Sequence, residues 1–259
     1  MAVELEGGCR VTTMWEGTPR IERNVKILQQ VGRDTGAKAI SLRTLEFARG
    51  SFNGIRNSDC DEVIYVLEGT GTIFIDGQPL AIEPETGIYI KPNQTFAVNN
   101  PHTEPIVFIS SQCPEPEIQS AIVAAITLPV QKNPEPPQPP IVRLADRRAL
   151  PTADRWYRVL VDEAVGSQQV TQFVGSIPPG RAPDHFHKYE EVLFILRGRG
   201  RMWAGKSCTL IEAGCCVYLP KEQLHCVENI GESELRLLGV FYPAGSPAVR
   251  YDAELDGTS

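Results

Sequence analysis

Glu190-Glu-Val-Leu-Phe-Ile-Leu-Arg-Gly-Arg-Gly200 decides the fold, because the chain carries this stretch twice. Asp61-Glu-Val-Ile-Tyr-Val-Leu-Glu-Gly-Thr-Gly71 repeats its acidic start, apolar run and paired glycines 129 positions earlier. The same offset relates Asn100 to Asn229 and Pro114 to Pro243. Gly87 and Gly214 stand 127 apart, which implies a two-residue length difference in one hairpin. An offset recurring near half the length of a 259-residue chain marks an internal duplication.

Around these stretches lie short β-branched and aromatic runs, among them Thr72-Ile-Phe-Ile75 and Leu235-Arg-Leu-Leu-Gly-Val-Phe241, separated by Gly, Pro, Asn and Asp. That rhythm predicts an all-β sandwich or closed barrel. Asp76-Gly77 sits between two such runs and predicts a hairpin turn. Glu117–Thr127 predicts a short helix, and residues 129–140, half of them proline, predict an extended semi-rigid linker. The expected organisation is a barrel over 1–128, the linker at 129–140 and a second barrel over 141–259.

A net charge of −7 without a basic block argues against nucleic acid or an anionic membrane as partner. The longest apolar stretch, at Ala121–Ile126, is far short of the roughly 20 residues that span a bilayer. The acidic start of the chain lacks the apolar region of a signal peptide. Seven cysteines, an odd number with no C-x-x-C, read as reduced thiols. The expected location is therefore the cytoplasm.

Only four histidines occur, so their placement is informative. His185 and His187 flank Phe186, and on a strand this spacing turns both imidazoles to one side. Glu191 can reach the same side, and His225 can approach from a partner strand. Three imidazoles and a carboxylate make a mixed nitrogen–oxygen site for a divalent transition metal with open positions. His102, in Asn99-Asn-Pro-His-Thr103, reads as an inert loop residue.

The order G-x4-H-x-H-x3-E-x6-G at Gly180–Gly198, followed by G-x5-P-x4-H-x3-N at Gly214–Asn229, resembles the two motifs of the cupin superfamily. There are two departures: the first glycine is one residue closer to the H-x-H, and Glu222 stands where the pattern has glycine. With the duplication, the resemblance implies a bicupin, two tandem jelly-roll barrels, with His185, His187, Glu191 and His225 as metal ligands. The 129 offset maps His185 to Arg56, His187 to Ser58 and His225 to Phe96, and only Glu62 is kept, matching Glu191. The first barrel is therefore expected to be metal-free, a scaffold, unless Arg56 and Glu62 hold a substrate carboxylate or amine.

Other residues carry blander expectations. Glu190 should face outward into solvent, and Cys215, Cys216 and Cys226 should act as small apolar residues. Asn229 should close a turn, and Arg197, Arg199 and Arg201 should be solvated or paired. Trp203 and Tyr218 are aromatic residues whose facing stays open. The metal set implies an enzyme on a small organic substrate, with Fe(II) favoured over Mn, Zn or Ni and a non-haem dioxygenase as the leading reading. The alternative is a non-redox Lewis-acid enzyme (isomerase, decarboxylase, lyase or ureidoglycine-aminohydrolase-like), and the third is a non-catalytic binding module. Homodimerisation stays open.

Overall fold

The apolar run Val63–Leu67 lies in the strand Asp61–Glu68, and its twin Val192–Leu196 lies in Glu190–Arg197. These positions come from a computed structural model, which describes residues 1–52, 54–57, 59–118, 120–123, 140–152 and 154–249. Each strand sits inside the larger sheet of one barrel, faced by a smaller antiparallel sheet. Side-chain alternation then explains why neither run is interrupted by polar residues. Ile64 and Val66 pack inside the first barrel with Phe96 and Phe108. Leu193 and Ile195 pack inside the second with Phe173 and Phe241. The opposite faces, Val63 and Tyr65 against Val192 and Phe194, form a third core between the barrels. A strand buried on both faces reads as a continuous apolar run.

The sheets do not follow the halves of the chain. Arg10–Thr13 pairs with Cys215–Leu219 of the second half, and Leu5, Cys9 and Val11 belong to the second barrel's core. In return, Ile141–Arg143 pairs with Thr86–Ile90 of the first half. Each barrel's larger sheet is thus completed by a strand from the other half. Residues 129–139 of the expected linker lie outside the described residues. Among the described residues, no helix is long and apolar enough to cross a membrane.

Two expectations change and one holds. The helix expected over Glu117–Thr127 contains a strand, Ala121–Val123, paired with Gly54–Arg56, while 124–127 lie outside the described residues. Ile122 packs against the first barrel's core, and a β-branched pair beside an open strand edge outweighs a weak helical preference. The hairpin at Asp76-Gly77 forms, with Gln78–Ile82 paired to Gly71–Ile75.

The two-residue length difference, however, is absent. Glu62 pairs with Ile90 and Glu191 with Leu219, so the 129 offset runs on through this strand. Gly214 matches Glu85, not Gly87: both have left-handed backbones, φ 87° and 63°, and donate to Ile195 and Val66 carbonyls respectively. The real length change lies earlier. Gly50 pairs with Asn100 and Gly180 with Asn229, so the offset before the H-x-H is 130.

Candidate metal centre

His185 and His225 face each other across an antiparallel bridge, exchanging N–H···O bonds of 3.0 and 2.9 Å. His187 lies two residues on, and its carbonyl accepts from the Glu222 N–H at 2.8 Å. Glu222 holds the left-handed backbone, φ 62°, that the family pattern assigns to glycine, so this departure leaves the loop intact. One ligand atom from each of His185, His187 and His225 lies within 4.8 Å of the others. Glu191 enters from the start of its strand, with Oε2 3.5 Å from His225 Nε2 and 3.9 Å from His187 Nε2. Thus all four predicted site residues are brought together. His187, Glu191 and His225 are buried, and His185 stands at the rim.

Backbone carbonyls set the ring orientation. His225 Nδ1 lies 2.7 Å from the Gln223 carbonyl and His185 Nδ1 3.1 Å from that of Pro183. A carbonyl only accepts, so each Nδ1 carries the proton and each Nε2 presents a lone pair. Burial pushes the Glu191 carboxyl up to about 8. Burial, with His185 and His187 close by, pushes His225 down to about 3. Among the described residues nothing donates a hydrogen bond to Glu191 Oε2. Ionised, a carboxylate so buried is costly by itself, which is why it keeps its proton, and a cation would satisfy it in the proton's place. Atoms about 2.1 Å from one ion stand roughly 3–4 Å apart, the spacing Glu191 keeps from two rings.

The ligands border a cavity of about 90 Å³ whose walls include Tyr157, Phe173, Ile177, Leu237 and Phe241. Tyr189 stacks on His187, with centroids 4.9 Å apart and planes 12° apart, and its hydroxyl donates to the Ser246 carbonyl at 3.0 Å. A Cβ on Gly239 would stand 2.2 Å from Phe173 Cζ, so glycine there admits the Phe173 ring. Sequence reasoning missed Phe173, Tyr189 and Phe241. Strand alternation could have placed Phe173 and Phe241 on the inward face, but Tyr189 lies before its strand begins.

The first barrel answers the same position differently. Ile55 pairs with Phe96 as His185 does with His225, and the Asn93 N–H donates to the Asn57 carbonyl at 2.7 Å, as Glu222 does to His187. The counterparts of the three histidines are therefore Ile55, Asn57 and Phe96. Arg56 is exposed, one residue out of register, and Ser58 lies outside the described residues. The 129 offset failed here because five positions separate Asn57 from Glu62, against four from His187 to Glu191. Glu62 is fully buried and accepts from Arg43 and Ser110, each at 2.5 Å, and from Asn57. Arg43, Ser110 and Gln112 stand where the second barrel has Phe173, Gly239 and Phe241.

The remaining expectations divide. Glu190 is buried, not solvated: it accepts from the Lys38 and Ala39 N–H groups, both at 2.7 Å, and from the Tyr218 hydroxyl at 2.5 Å. The outer face of its strand is covered by the other barrel. Tyr218 therefore turns away from the metal set, as does Trp203, whose Nε1 donates to Glu228 at 2.8 Å. Asn229 does close a turn, donating to the Ile177 and Ser233 carbonyls and accepting from the Gly231 N–H. Arg197 pairs with Glu234 and Arg201 with Glu228. Burial pushes the Cys226 thiol up to about 11. His102 is exposed in its loop.

A double-barrelled β-protein with one inward histidine cluster is the class this architecture defines. The model of the Cupin domain family matches residues 47–111 and 173–241, just over half of the chain, and the chain belongs to that family as a bicupin. A curated relative, Uncharacterized protein MJ1618 of Methanocaldococcus jannaschii, is 34% identical over 71 residues. That match covers 26% of this chain and 57% of the relative, so the chain spans little more than half of its length. Among solved structures, a mutant of Bacillus subtilis oxalate decarboxylase superposes with a TM-score of 0.76 at 14% identity, covering 91% of this chain and 78% of that one. Another structure of that enzyme, described for its Mn(II) centres, gives 0.75 at 15% identity, with the same coverages. At such identities the likeness shows the fold.

Proposed function

We propose that the second barrel is a mononuclear divalent-metal centre held by His185, His187, Glu191 and His225. The protein is then a metal-dependent enzyme that acts on a small organic molecule by Lewis-acid chemistry. The observation that carries this reading is Glu191 Oε2, buried without a donor and facing two imidazole Nε2 atoms at 3.5 and 3.9 Å. The bound ion would polarise a substrate oxygen and stabilise charge that develops there.

The chain's own groups do the rest. Gln223 and Pro183 hold the two Nδ1 protons away from the site. Tyr189 and Phe241 fix the His187 ring by contact. The apolar wall lowers the polarity around the ligands, which strengthens electrostatic interactions there. The solved neighbours are oxalate decarboxylases, one of them described for its Mn(II) centres. This favours the non-redox alternative, with Mn(II), over the Fe(II) dioxygenase. In the first barrel, Arg43 neutralises Glu62 from within, which suits a supporting role.

Elemental analysis after loading with Mn(II) and desalting tests the reading. One ion per wild-type chain and under a tenth of that in a folded His187→Ala variant are expected. Equal metal content in the two proteins would overturn it.

A further inference from the structure

Among the described residues, Arg155 is the one arginine or lysine lining the cavity of the second barrel. It begins the strand Arg155–Val161, in which Tyr157 belongs to the barrel core and Val159 packs against that core. Alternation puts Arg155 on the same inward face. Its register partner Thr152 borders the same cavity as the four proposed ligands. The Arg155 side chain is only 12% exposed, and its Nε donates to Asp154 at 3.0 Å. Asp154 is 64% exposed, and an ion pair to so solvated a carboxylate is worth little.

The charge balance of the cavity asks for an anion. Its charged wall residues are Arg155 and Glu191, and Glu191 is committed to the metal. A divalent ion in place leaves the wall positive overall. The first barrel, whose glutamate is already paired with Arg43, has buried Val25 at the position of Arg155. The inward cation at the mouth therefore accompanies the histidine set.

We propose that the second barrel binds a small carboxylic acid with an apolar body. The carboxylate pairs with the Arg155 guanidinium, and the body packs among Phe173, Ile177, Leu237 and Phe241. This deepens the metal-enzyme reading and rests on it for the charge balance. A guanidinium fork matches a carboxylate in a bidentate pair. Burying the body against hydrocarbon is favourable, whereas a second charged group held against that wall, away from the ion, would lose its water without a partner. The cavity of about 90 Å³ is several times the roughly 10–15 Å³ that a single water needs.

Titration calorimetry with benzoate against the Mn(II)-loaded full chain tests this, with benzamide and oxalate as comparators. Benzoate is expected to bind once per chain, at least tenfold tighter than benzamide and tighter than oxalate. Arg155→Gln should weaken benzoate at least tenfold and leave benzamide unchanged, and Arg155→Lys should fall between. His187→Ala, free of metal, should bind benzoate more weakly than the loaded wild type, and Arg155→Gln in that background should weaken it further. Benzoate binding that is absent, unmoved by Arg155→Gln and Arg155→Lys, or weaker than that of oxalate overturns the proposal. Failure of the metal reading alone would look different: wild-type protein without bound metal, yet with Arg155-dependent benzoate binding.

Discussion

Glu62 and Glu191 occupy the same point of the duplicated strand, paired with Ile90 and Leu219, yet their charges are met in opposite ways. Arg43 stands 2.5 Å from Glu62, whereas Glu191 faces imidazoles at 3.5 and 3.9 Å and, among the described residues, pairs with no arginine or lysine. One duplicated carboxylate is neutralised by a guanidinium, and the other, in the proposed function, by a bound cation.

Arg43→Met should therefore leave Glu62 buried without its counter-charge. The expected cost is about 3–5 kcal/mol, read from urea unfolding, since removing one partner of a buried pair strands the other. Metal content should not change, because the second barrel's ligands lie elsewhere. A loss below 1 kcal/mol would show that the pair is not a structural element.

Metal affinity should depend on pH through Glu191. Its carboxyl, raised to about 8 by burial, holds a proton at neutral pH that the ion must displace. Apparent affinity should then rise about tenfold per pH unit up to about pH 8 and flatten above it. His225, lowered to about 3, is already neutral over this range and adds no further slope. Competition with a metal-sensitive dye between pH 6 and 9 measures this, and a flat profile would contradict it.

Glu190 ties the two barrels together through two N–H groups and the Tyr218 hydroxyl. Glu190→Ala removes the acceptor of all three, of which the Tyr218 hydroxyl is buried and the two N–H groups part-buried, and should cost about 1–3 kcal/mol. Glu190→Gln keeps one acceptor oxygen and should cost less. Thermal unfolding of the two variants orders them, and equal stabilities would contradict the cross-barrel role.

Deleting residues 1–13 should injure the second barrel, although the deletion falls at the other end of the chain. The arm's strand covers Cys215–Leu219, and Leu5, Cys9 and Val11 fill the second barrel's core. The truncated protein should retain less metal after desalting and unfold at a lower temperature. Unchanged retention and melting would contradict the strand exchange.

Much of the site was legible because histidine is scarce and chemistry concentrates it: His185, His187 and His225 needed only a shared face and a partner strand. The duplication was legible too, but its register was misread where letters were matched instead of backbone conformation. Gly87 looked like the twin of Gly214, while Glu85 holds the left-handed backbone. Arg56 looked like the twin of His185 because one extra residue lies between Asn57 and Glu62. Glu190 was expected to meet solvent because a lone barrel has a wet outer face, and here that face is buried by its neighbour. Arg155 gave no signal, since an arginine at a strand's start resembles any surface charge until the cavity is seen.

The most direct test of the metal centre is anomalous diffraction from crystals of the Mn(II)-loaded protein. The account predicts one strong peak about 2.2 Å from Nε2 of His185, His187 and His225 and from a Glu191 carboxylate oxygen, and none at Glu62. A peak elsewhere, or a second-barrel site without density in loaded crystals, would contradict it.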